Sequence, residues 1–332
     1  MTTMRLLGVV AVLVAALVGW NCRDITTADL PLVVKQWKAS GHYFLFEGAA
    51  GPPRVIWHKV IHNHGAPQRT LICLHGFPTS SFDWIKILPA LQHQFDQIIL
   101  FDLLGFGLSE KPTNHSYTIM EQADITEALL AHMGVSEVHV LAHDYGDTVG
   151  QELLARHNER AKAGDSTLSL KSICFLNGGL FPGSHRPRTI QKVLALPHIG
   201  TFLGYFANYW LFCRSFVPLF GEHTAPTEAE FQEMWSLIAY EGGHRLAGAL
   251  LHYMADRVQH EQRWTDALKQ TTVPIRLING PADPVSGRHL AERYRQEVPQ
   301  ADVVLLADGI GHYPQLEAPS ETVAAYTTFI TA

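Results

Sequence analysis

The stretch that decides the fold is Val138-His139-Val140-Leu141-Ala142-His143-Asp144-Tyr145-Gly146-Asp147. An apolar run, typical of a buried strand, leads into a small–x–acid–x–small sequence, and a helical segment at 148–156 follows. Small residues at Ala142 and Gly146 allow a sharp backbone turn that leaves the middle side chain exposed. The pattern predicts a nucleophile elbow with Asp144 at its crest, where the common version carries serine.

Further apolar runs recur along the chain, with helical stretches such as 119–133 between them. They lie at 55–61, 70–74, 97–102, 138–143 and 171–176, and later at 273–279 and 302–306. Runs that are apolar along their whole length suit strands covered on both faces. The alternation predicts an α/β fold with a mostly parallel central sheet flanked by helices.

Almost a hundred residues separate the strand that ends near Leu176 from the strand that begins at Val273. This segment is rich in aromatic residues, and a structureless loop of that length is improbable. We therefore expect an inserted helical cap at 178–268, between a first core part at 35–177 and a second at 269–332. Together the aromatic residues predict an apolar layer over the carboxyl edge of the sheet.

The composition excludes several classes of protein. Hydrophobic residues make up 47% of the chain and charged residues 17%, which excludes a disordered chain. Lys and Arg number 25 against 31 Asp and Glu, a formal net charge of −6. A mildly acidic chain has no general attraction for nucleic acid, so no such partner is expected. The oligomeric state is left open.

No cofactor and no metal are expected from the sequence. Cys73 and Cys174 lie within apolar runs, which predicts free core thiols and favours a reducing compartment for the folded part. The segment 105–107 lacks the third glycine of a dinucleotide loop and is interpreted as a turn. His62 and His64 have no acidic or cysteine companion, so they do not predict a metal site.

An uncharged apolar run occupies residues 6–20, between Arg5 and Arg23. As a helix it would span about 22 Å, short of the ~30 Å hydrocarbon core of a bilayer. We expect residues 1–25 to form a retained membrane anchor. The alternatives are a cleaved signal, which would give a secreted or periplasmic protein, and a buried core helix.

Two further motifs supply partners for Asp144. Asp283 follows an apolar strand within residues 279–285, and His312 follows the last strand within residues 308–314. The order elbow, acid, histidine at the ends of successive strands predicts a catalytic triad. After an early strand comes Leu74-His75-Gly76-Phe77, and we expect the N–H groups of Phe77 and Tyr145 to form an oxyanion hole.

These motifs resemble those of the α/β-hydrolase superfamily, on the branch of epoxide hydrolases and haloalkane dehalogenases. More narrowly, the chain is similar to the mesoderm-specific transcript protein family. The matching stretches are HGFPTSSFDW (75–84), FDLLGFGLSEKP (101–112), HDYGD (143–147), NGGLFPGSHRP (177–187), GPADP (280–284) and GHYPQLEAP (311–319). The resemblance runs from about residue 35 to the C-terminus, and it implies the α/β-hydrolase fold and membrane association. Trp84, which closes the first stretch, is expected to contact the substrate.

The chemistry of an aspartate nucleophile restricts the reaction. A carboxylate with a reference pKa of about 3.9 is ionised at neutral pH and needs no base. Its attack on an sp³ carbon gives an ester, whereas attack on an acyl carbon would give an anhydride, so epoxides or alkyl halides are favoured over ordinary esters. His312, oriented by Asp283, would then activate the water that hydrolyses the ester on Asp144.

The resemblance also bears on the substrate. Dehalogenases hold the halide with an indole N–H directly after the nucleophile and with a second donor in an early loop. This chain has Tyr145 and Phe77 at those positions, so a dehalogenase activity is disfavoured. Epoxide hydrolases use two cap tyrosines, of which Tyr253 matches one. The candidates for the other are Tyr205, Tyr209 and Tyr240. We therefore expect an epoxide hydrolase-like enzyme that acts on a small apolar substrate.

Two other functions stay open. An acyl hydrolase acting on lipids or esters is disfavoured because no serine occupies the elbow. A catalytically silent binding protein at a membrane is disfavoured because Asp144, Asp283 and His312 are all present. Asp147 has two interpretations, a carboxylate that tunes the site or one that interacts with the N-terminus of a helix.

Overall fold

One mixed sheet forms the centre of the molecule in the computed structural model, which describes residues 24–49, 51–63, 69–196 and 199–331. Its strands are β1 (His42–Phe46), β2 (Arg54–His62), β3 (Thr70–Leu74), β4 (Gln97–Phe101), β5 (Glu137–His143), β6 (Ser169–Leu176), β7 (Ile275–Asn279) and β8 (Asp302–Leu305). They lie side by side in the order β1-β2-β4-β3-β5-β6-β7-β8. β2 pairs antiparallel with β1 and β4, and every other neighbouring pair is parallel. The predicted mostly parallel sheet is confirmed.

The central strands are apolar at successive positions because both faces of the sheet are covered. β3 and β4 are buried at every residue. In β3, Ile72 and Leu74 join one buried cluster, and Leu71 and Cys73 join a second cluster on the opposite face. Cys73 and Cys174 are both buried and free.

β1 is not among the predicted strands. It lies at the edge of the sheet, and Tyr43 and Leu45 remain 52% and 54% exposed. A strand with one free edge and an uncovered face does not produce the bounded, fully buried run by which the other strands are recognised.

Helices surround the sheet. They are α1 (Leu32–Ala39), α2 (Leu88–Leu91), α3 (Ile119–His132), α4 (Tyr145–Ala163), α5 (Thr189–Leu194), α6 (Ile199–Gly204), α7 (Tyr209–Phe216), α8 (Glu228–Ile238), α9 (Ala247–Leu250), α10 (Tyr253–Gln259), α11 (Glu261–Gln270), α12 (Arg288–Glu297), α13 (Pro314–Glu317) and α14 (Pro319–Ile330). Short 3₁₀ turns lie at Ser81–Trp84, Pro182–Ser184, Val217–Leu219 and Gly243–Leu246. α3 matches the predicted helix at 119–133, and α4 extends beyond the predicted 148–156.

Helices α5 to α11 stand between β6 and β7, in the stretch for which the cap is predicted. A third buried cluster joins α7 and α8 to Tyr313 and Leu316, next to the end of the last strand. α11 instead packs on α4 of the core, where the indole N–H of Trp264 donates to Glu152 Oε2 over 2.8 Å.

The anchor predicted at 1–25 lies almost entirely outside the described residues, which begin at Asp24. Within the described ranges, no helix combines the length and the apolar character needed to cross a bilayer. In the same ranges, no three His, Cys, Asp or Glu side chains converge as a metal site would require.

Candidate active site

Asp144 occupies the turn between β5 and α4 in a strained backbone conformation. Its φ of 47° and ψ of −102° lie outside the regions that a non-glycine residue ordinarily adopts. The turn is tight because α4 approaches β3 closely, and a Cβ on Gly146 would lie 2.3 Å from the carbonyl oxygen of Leu74. The carboxylate of Asp144 lines a cavity above the sheet.

His312 and Asp283 form a buried pair beside this turn. The ring Nδ1 of His312 lies 2.7 Å from Asp283 Oδ2, and the side chains are 4% and 0% exposed. The N–H of Val285 donates to Asp283 Oδ1 over 2.7 Å, and the N–H of Ser286 donates to Oδ2 over 3.0 Å. These bonds fix the carboxylate so that it orients the imidazole, and His312 lines the same cavity as Asp144.

Asn177 also holds Asp283, and the sequence-based interpretation missed it. Its Nδ2 donates to Asp283 Oδ2 over 3.0 Å, and its Oδ1 accepts from the N–H of Gly280 over 2.7 Å. Its φ of 45° is again unusual for a residue other than glycine. The signal that could have found it is its place directly after β6, where it opens the stretch NGGLFPGSHRP.

The electrostatics of the pair favour a charged imidazolium. Burial works against the charge on His312, but Asp283 and then Asp144 outweigh it and raise the pKa of His312 to about 9. Burial opposes ionisation of Asp283 as well, yet the charge and hydrogen bond of His312 hold the pKa of that carboxyl below its usual value. At neutral pH the site therefore carries a proton on His312.

One of the two N–H groups predicted for the oxyanion hole lies at the carboxylate of Asp144. The N–H of Phe77 donates to Asp144 Oδ2 over 3.1 Å. Within the described residues, the N–H of Tyr145 makes no hydrogen bond with that carboxylate. The Tyr145 side chain is fully buried, with its ring 5.3 Å from Phe106 and 5.0 Å from Tyr253. It is not part of the cavity wall.

Arg257 is a second residue that sequence reasoning missed. Its side chain is 3% exposed; Nη2 donates to the carbonyl oxygen of Asp144 over 3.2 Å and lies 4.0 Å from Asp144 Oδ1. Nε donates to Thr148 Oγ1 over 2.8 Å, and Nη1 lies 3.3 Å from Nδ1 of His185. Burial and the charge of Arg257 lower the pKa of His185 to about 3, so that ring is neutral and accepts the bond. The signal was an arginine one helical turn after Tyr253.

Asp147 is buried beneath the elbow. The N–H of Leu176 donates to its Oδ1 over 3.4 Å, and within the described residues Oδ2 has no hydrogen-bond partner. Burial, and then the charge of Asp144, raise the pKa of Asp147 well above its usual value. Its surroundings therefore favour the neutral form of the carboxyl, and Asp147 does not line the cavity.

The cavity holds about 790 Å³ and is enclosed mainly by apolar side chains. Its floor includes Phe77, Asp144 and His312, and residues 187–250 supply much of its walls. Polar side chains in the wall are fewer: Arg188, Thr189, Gln191, Arg214, Ser215, Trp235 and His244. Such a space suits a largely apolar molecule.

The tyrosines expected to serve as proton donors do not converge here. Tyr253 is fully buried, and its hydroxyl has no hydrogen-bond partner within the described residues. Burial, and then the charge of Asp144, raise the pKa of Tyr253, which keeps its hydroxyl protonated. The other three candidates lie elsewhere. Tyr205 is exposed directly after the end of α6. The hydroxyl of Tyr209 donates to Glu228 Oε1, and the hydroxyl of Tyr240 lies 3.0 Å from Thr27 Oγ1.

Trp84 does not reach the substrate cavity, which corrects the expectation that it contacts substrate. The 3₁₀ turn Ser81–Trp84 directs its indole into the core, where it is fully buried. It packs there with Phe82 and Leu88 in the cluster on the opposite face of the sheet from the cluster that contains Tyr145.

Comparison with known proteins identifies the fold family and the relatives of this chain. A family model described as alpha/beta hydrolase fold matches residues 69–169. The chain is 40% identical over 310 residues to the mesoderm-specific transcript protein of Mus musculus, covering 92% of this chain and 90% of that protein. It is 28% identical over 291 residues to a cis-3-alkyl-4-alkyloxetan-2-one decarboxylase of Shewanella oneidensis, covering 82% and 85%.

Among solved structures, the molecule is similar to a haloalkane dehalogenase of Bradyrhizobium elkanii. The TM-score is 0.69 at 22% sequence identity, over 88% of this chain and 96% of the dehalogenase. At this identity the similarity demonstrates the shared fold.

Proposed function

This chain belongs to the mesoderm-specific transcript family of α/β-hydrolases, and from that premise we propose that it is a hydrolase with Asp144 as nucleophile. Its substrate is an apolar molecule with a strained electrophilic ring, in the first place an epoxide. One observation carries the proposal: a carboxylate on a strained turn and the imidazole of His312 face the same apolar cavity.

The first half-reaction needs no base. Oδ1 of Asp144 attacks a ring carbon while the N–H of Phe77 holds Oδ2. A carbon–oxygen ester bond forms, the ring C–O bond breaks, and its electron pair passes to the departing alkoxide oxygen. That oxygen takes a proton from a water molecule, because the protonated hydroxyl of Tyr253 belongs to a fully buried side chain that does not line the cavity.

In the second half-reaction His312 acts as a base toward water. Ester formation removes the negative charge of Asp144, which is one of the charges that keep the proton on His312. The imidazole then releases its proton more readily and can accept one from water. The hydroxide attacks the ester carbonyl of Asp144, and the N–H groups of Phe77 and Tyr145 stabilise the oxyanion.

A second candidate reaction is the opening of an oxetan-2-one ring. One observation favours it: none of the candidate tyrosines, Tyr253 included, lines the cavity, so no phenol donor from them faces the departing oxygen. Opening a β-lactone at its alkyl carbon releases a carboxylate, which needs no proton donor. The Shewanella relative is named for a decarboxylase of dialkyl oxetan-2-ones, and two alkyl chains suit an apolar cavity.

Neither dehalogenation nor ordinary ester hydrolysis is favoured. Tyr145 lies packed beneath the elbow, and Phe77 has no side-chain donor, so neither supplies the halide contact expected after the nucleophile or in the early loop. An acyl hydrolase would require a serine where Asp144 stands.

The test is to trap the ester. A His312→Gln protein incubated with a panel of alkyl epoxides and dialkyl oxetan-2-ones should gain the full mass of the reactive substrate, and peptide mapping should place it on Asp144. The Asp144→Asn/His312→Gln double variant is the matched control and should gain nothing. If no substrate adds to the single variant, or if the control adds as well, Asp144 is not the nucleophile.

A further inference from the structure

The cap presents a concentration of exposed apolar side chains. Seven large ones lie within 22 positions and are each at least 42% exposed; we call them the cap face. They are Ile190, Leu196, Phe202, Tyr205, Phe206, Trp210 and Leu211. Part of the set is contiguous, because the rings of Phe202 and Phe206 lie 5.1 Å apart. Soluble proteins seldom leave such a surface uncovered.

Positive charge accompanies the cap face. The sequence contains no Asp or Glu between Asp165 and Glu222, although the whole chain carries a net charge of −6. Lys192 and Arg214 are exposed, and within the described residues neither forms an ion pair. The guanidinium of Arg214 lies 5.6 Å from the centre of the Trp210 ring. The face is therefore both apolar and basic.

Part of the cap face lines the cavity. Ile190, Phe206 and Leu211 are exposed, and each also lines the cavity that contains Asp144 and His312. An apolar molecule that leaves a surface covering the cap face would enter the cavity without crossing water.

The described chain begins next to the same surface. Asp24 forms an ion pair of 2.7 Å with Arg245, whose guanidinium lies 5.0 Å from the centre of the exposed ring of Tyr205. In the sequence, the uncharged apolar run 6–20 ends four positions before Asp24. The anchor predicted there would thus join the protein on the side of the cap face.

We propose that the cap face docks on a lipid bilayer that carries anionic headgroups, and that the cavity takes its substrate from that bilayer. The apolar side chains enter the interface, Trp210 lies at headgroup level, and Lys192 and Arg214 contact the phosphates and carboxylates of the lipids. The docking follows from the surface alone, whereas the source of the substrate rests on the proposed function. A second copy of the chain fits less well, because two basic faces repel each other.

The first experiment asks whether Trp210 enters lipid. Full-length protein carrying Trp20→Phe, which removes the tryptophan of the apolar run, is mixed with vesicles of brominated phosphatidylcholine and about 30 mol% phosphatidylserine. Tryptophan emission should fall relative to vesicles without bromine, and a Trp20→Phe/Trp210→Phe protein should lose most of that quenching. Equal quenching in the two proteins overturns the proposal.

The second experiment measures vesicle binding by sedimentation. The cap variant, Phe202→Ser/Trp210→Ser, replaces two residues that are 62% and 65% exposed and do not line the cavity. The control variant, Leu32→Ser/Val258→Ser, replaces two residues outside the cap face that are 72% and 67% exposed. The cap variant should bind phosphatidylserine vesicles about tenfold more weakly, since two aromatic side chains no longer leave water. The control should bind like the unmodified chain, and vesicles without phosphatidylserine should bind all three proteins more weakly.

Equal binding by both double variants overturns the proposal, and so does indifference to phosphatidylserine. A change of oligomeric state in the cap variant without lipid would identify a second copy of the chain as the occupant. Absence of quenching at Trp210 would mean that the face does not enter lipid and is covered by another occupant, such as residues 6–20. Turnover of a short, water-soluble epoxide should be unchanged in the cap variant. Failure of the proposed function would appear as no turnover in any variant, with the lipid result unaffected.

Discussion

At the scale of single residues, the proposed nucleophile depends on neighbouring groups that surround it. Arg257 lies 4.0 Å from the carboxylate of Asp144, while Asn177 holds Asp283 and Asp283 in turn holds His312. A buried carboxylate is stable in its ionised form when a cation and hydrogen bonds compensate it. The reactivity of Asp144 therefore depends on groups that need not touch the substrate.

Replacing Arg257 tests this compensation. Arg257→Met should lower kcat by at least about tenfold with KM nearly unchanged, because the variant leaves the carboxylate of Asp144 without its nearby cation. Removing a partner of a buried charge also costs about 3 kcal/mol of unfolding free energy, to be measured by urea denaturation. Arg257→Lys should recover part of the activity. An unchanged kcat in a folded Arg257→Met protein would show that the guanidinium is only a packing element.

The pH dependence of ester hydrolysis tests the role of Asp283. The pKa of His312 is about 9 while Asp144 is charged, and loss of that charge in the ester lowers it. Because His312 acts as a base only when neutral, hydrolysis of the Asp144 ester should speed up as the pH rises. Asp283→Asn removes the first of the charges that raise this pKa. In this variant the rise of the ester-hydrolysis rate with pH should therefore occur at least about one pH unit lower, and the maximal rate should be smaller. Stopped-flow decay of the ester measures both; a rise that stays at the same pH contradicts the assignment.

The sequence was informative about some of these residues and silent about others. Asp144, Asp283 and His312 each follow a strand, and Gly, Pro or small residues nearby mark the turns that carry them. Arg257 carries no such mark, because its partners are set by how α10 packs on the elbow. For Trp84, position within a motif did not reveal which face of the sheet the side chain would join.

At the scale of elements, the unit β5–Asp144–α4 sets the geometry of the site. The residue after Asp144 begins α4, and the helix lies against β3. This close approach is possible because Gly146 has no Cβ. Continuous apolar runs predicted β2 to β8 well because these strands are covered by neighbours. β1 was not predicted because three of its five residues are exposed to solvent.

Gly146→Ala tests how tightly the elbow is built. The new methyl group would meet the backbone oxygen of Leu74 at 2.3 Å, and backbone cannot rotate away. We expect a loss of about 2 kcal/mol or more in unfolding free energy. Gly150→Ala, in the same helix, is the matched control, since its methyl group meets side chains at 3.3 Å or more. Similar melting temperatures for the two variants would contradict the close-packed elbow.

At the scale of the whole molecule, the sheet presents the reactive groups at one edge and the cap segment encloses them in an apolar space. The length of the insertion and its aromatic content predicted such a layer. They could not predict which polar side chains lie in the mainly apolar cavity wall, because the positions of Arg188 and Trp235 depend on how short helices pack together. An apolar cavity of about 790 Å³ implies that the size of the substrate's apolar chain affects its binding.

Narrowing the cavity tests that implication. Leu203 lines the wall on α6, and Leu203→Trp places an indole in the space of an isobutyl group. The kcat/KM for long-chain epoxides should fall at least about tenfold, whereas that for a short epoxide should change little, because binding energy scales with the apolar area that is covered. Leu203→Met is the control of similar volume. An equal loss for short and long substrates would indicate a distorted site rather than a narrowed one.

The most direct test of the covalent mechanism is turnover in water enriched in oxygen-18. If a water molecule attacks the carbonyl of an ester on Asp144, then excess substrate should leave heavy oxygen in the carboxylate of Asp144. The product of the first turnover should carry ordinary oxygen from the enzyme. Mass spectrometry of the peptide that contains Asp144 measures the former. Heavy oxygen in the product of a single turnover, with none in that peptide, would show that water attacks the substrate directly and would contradict the account.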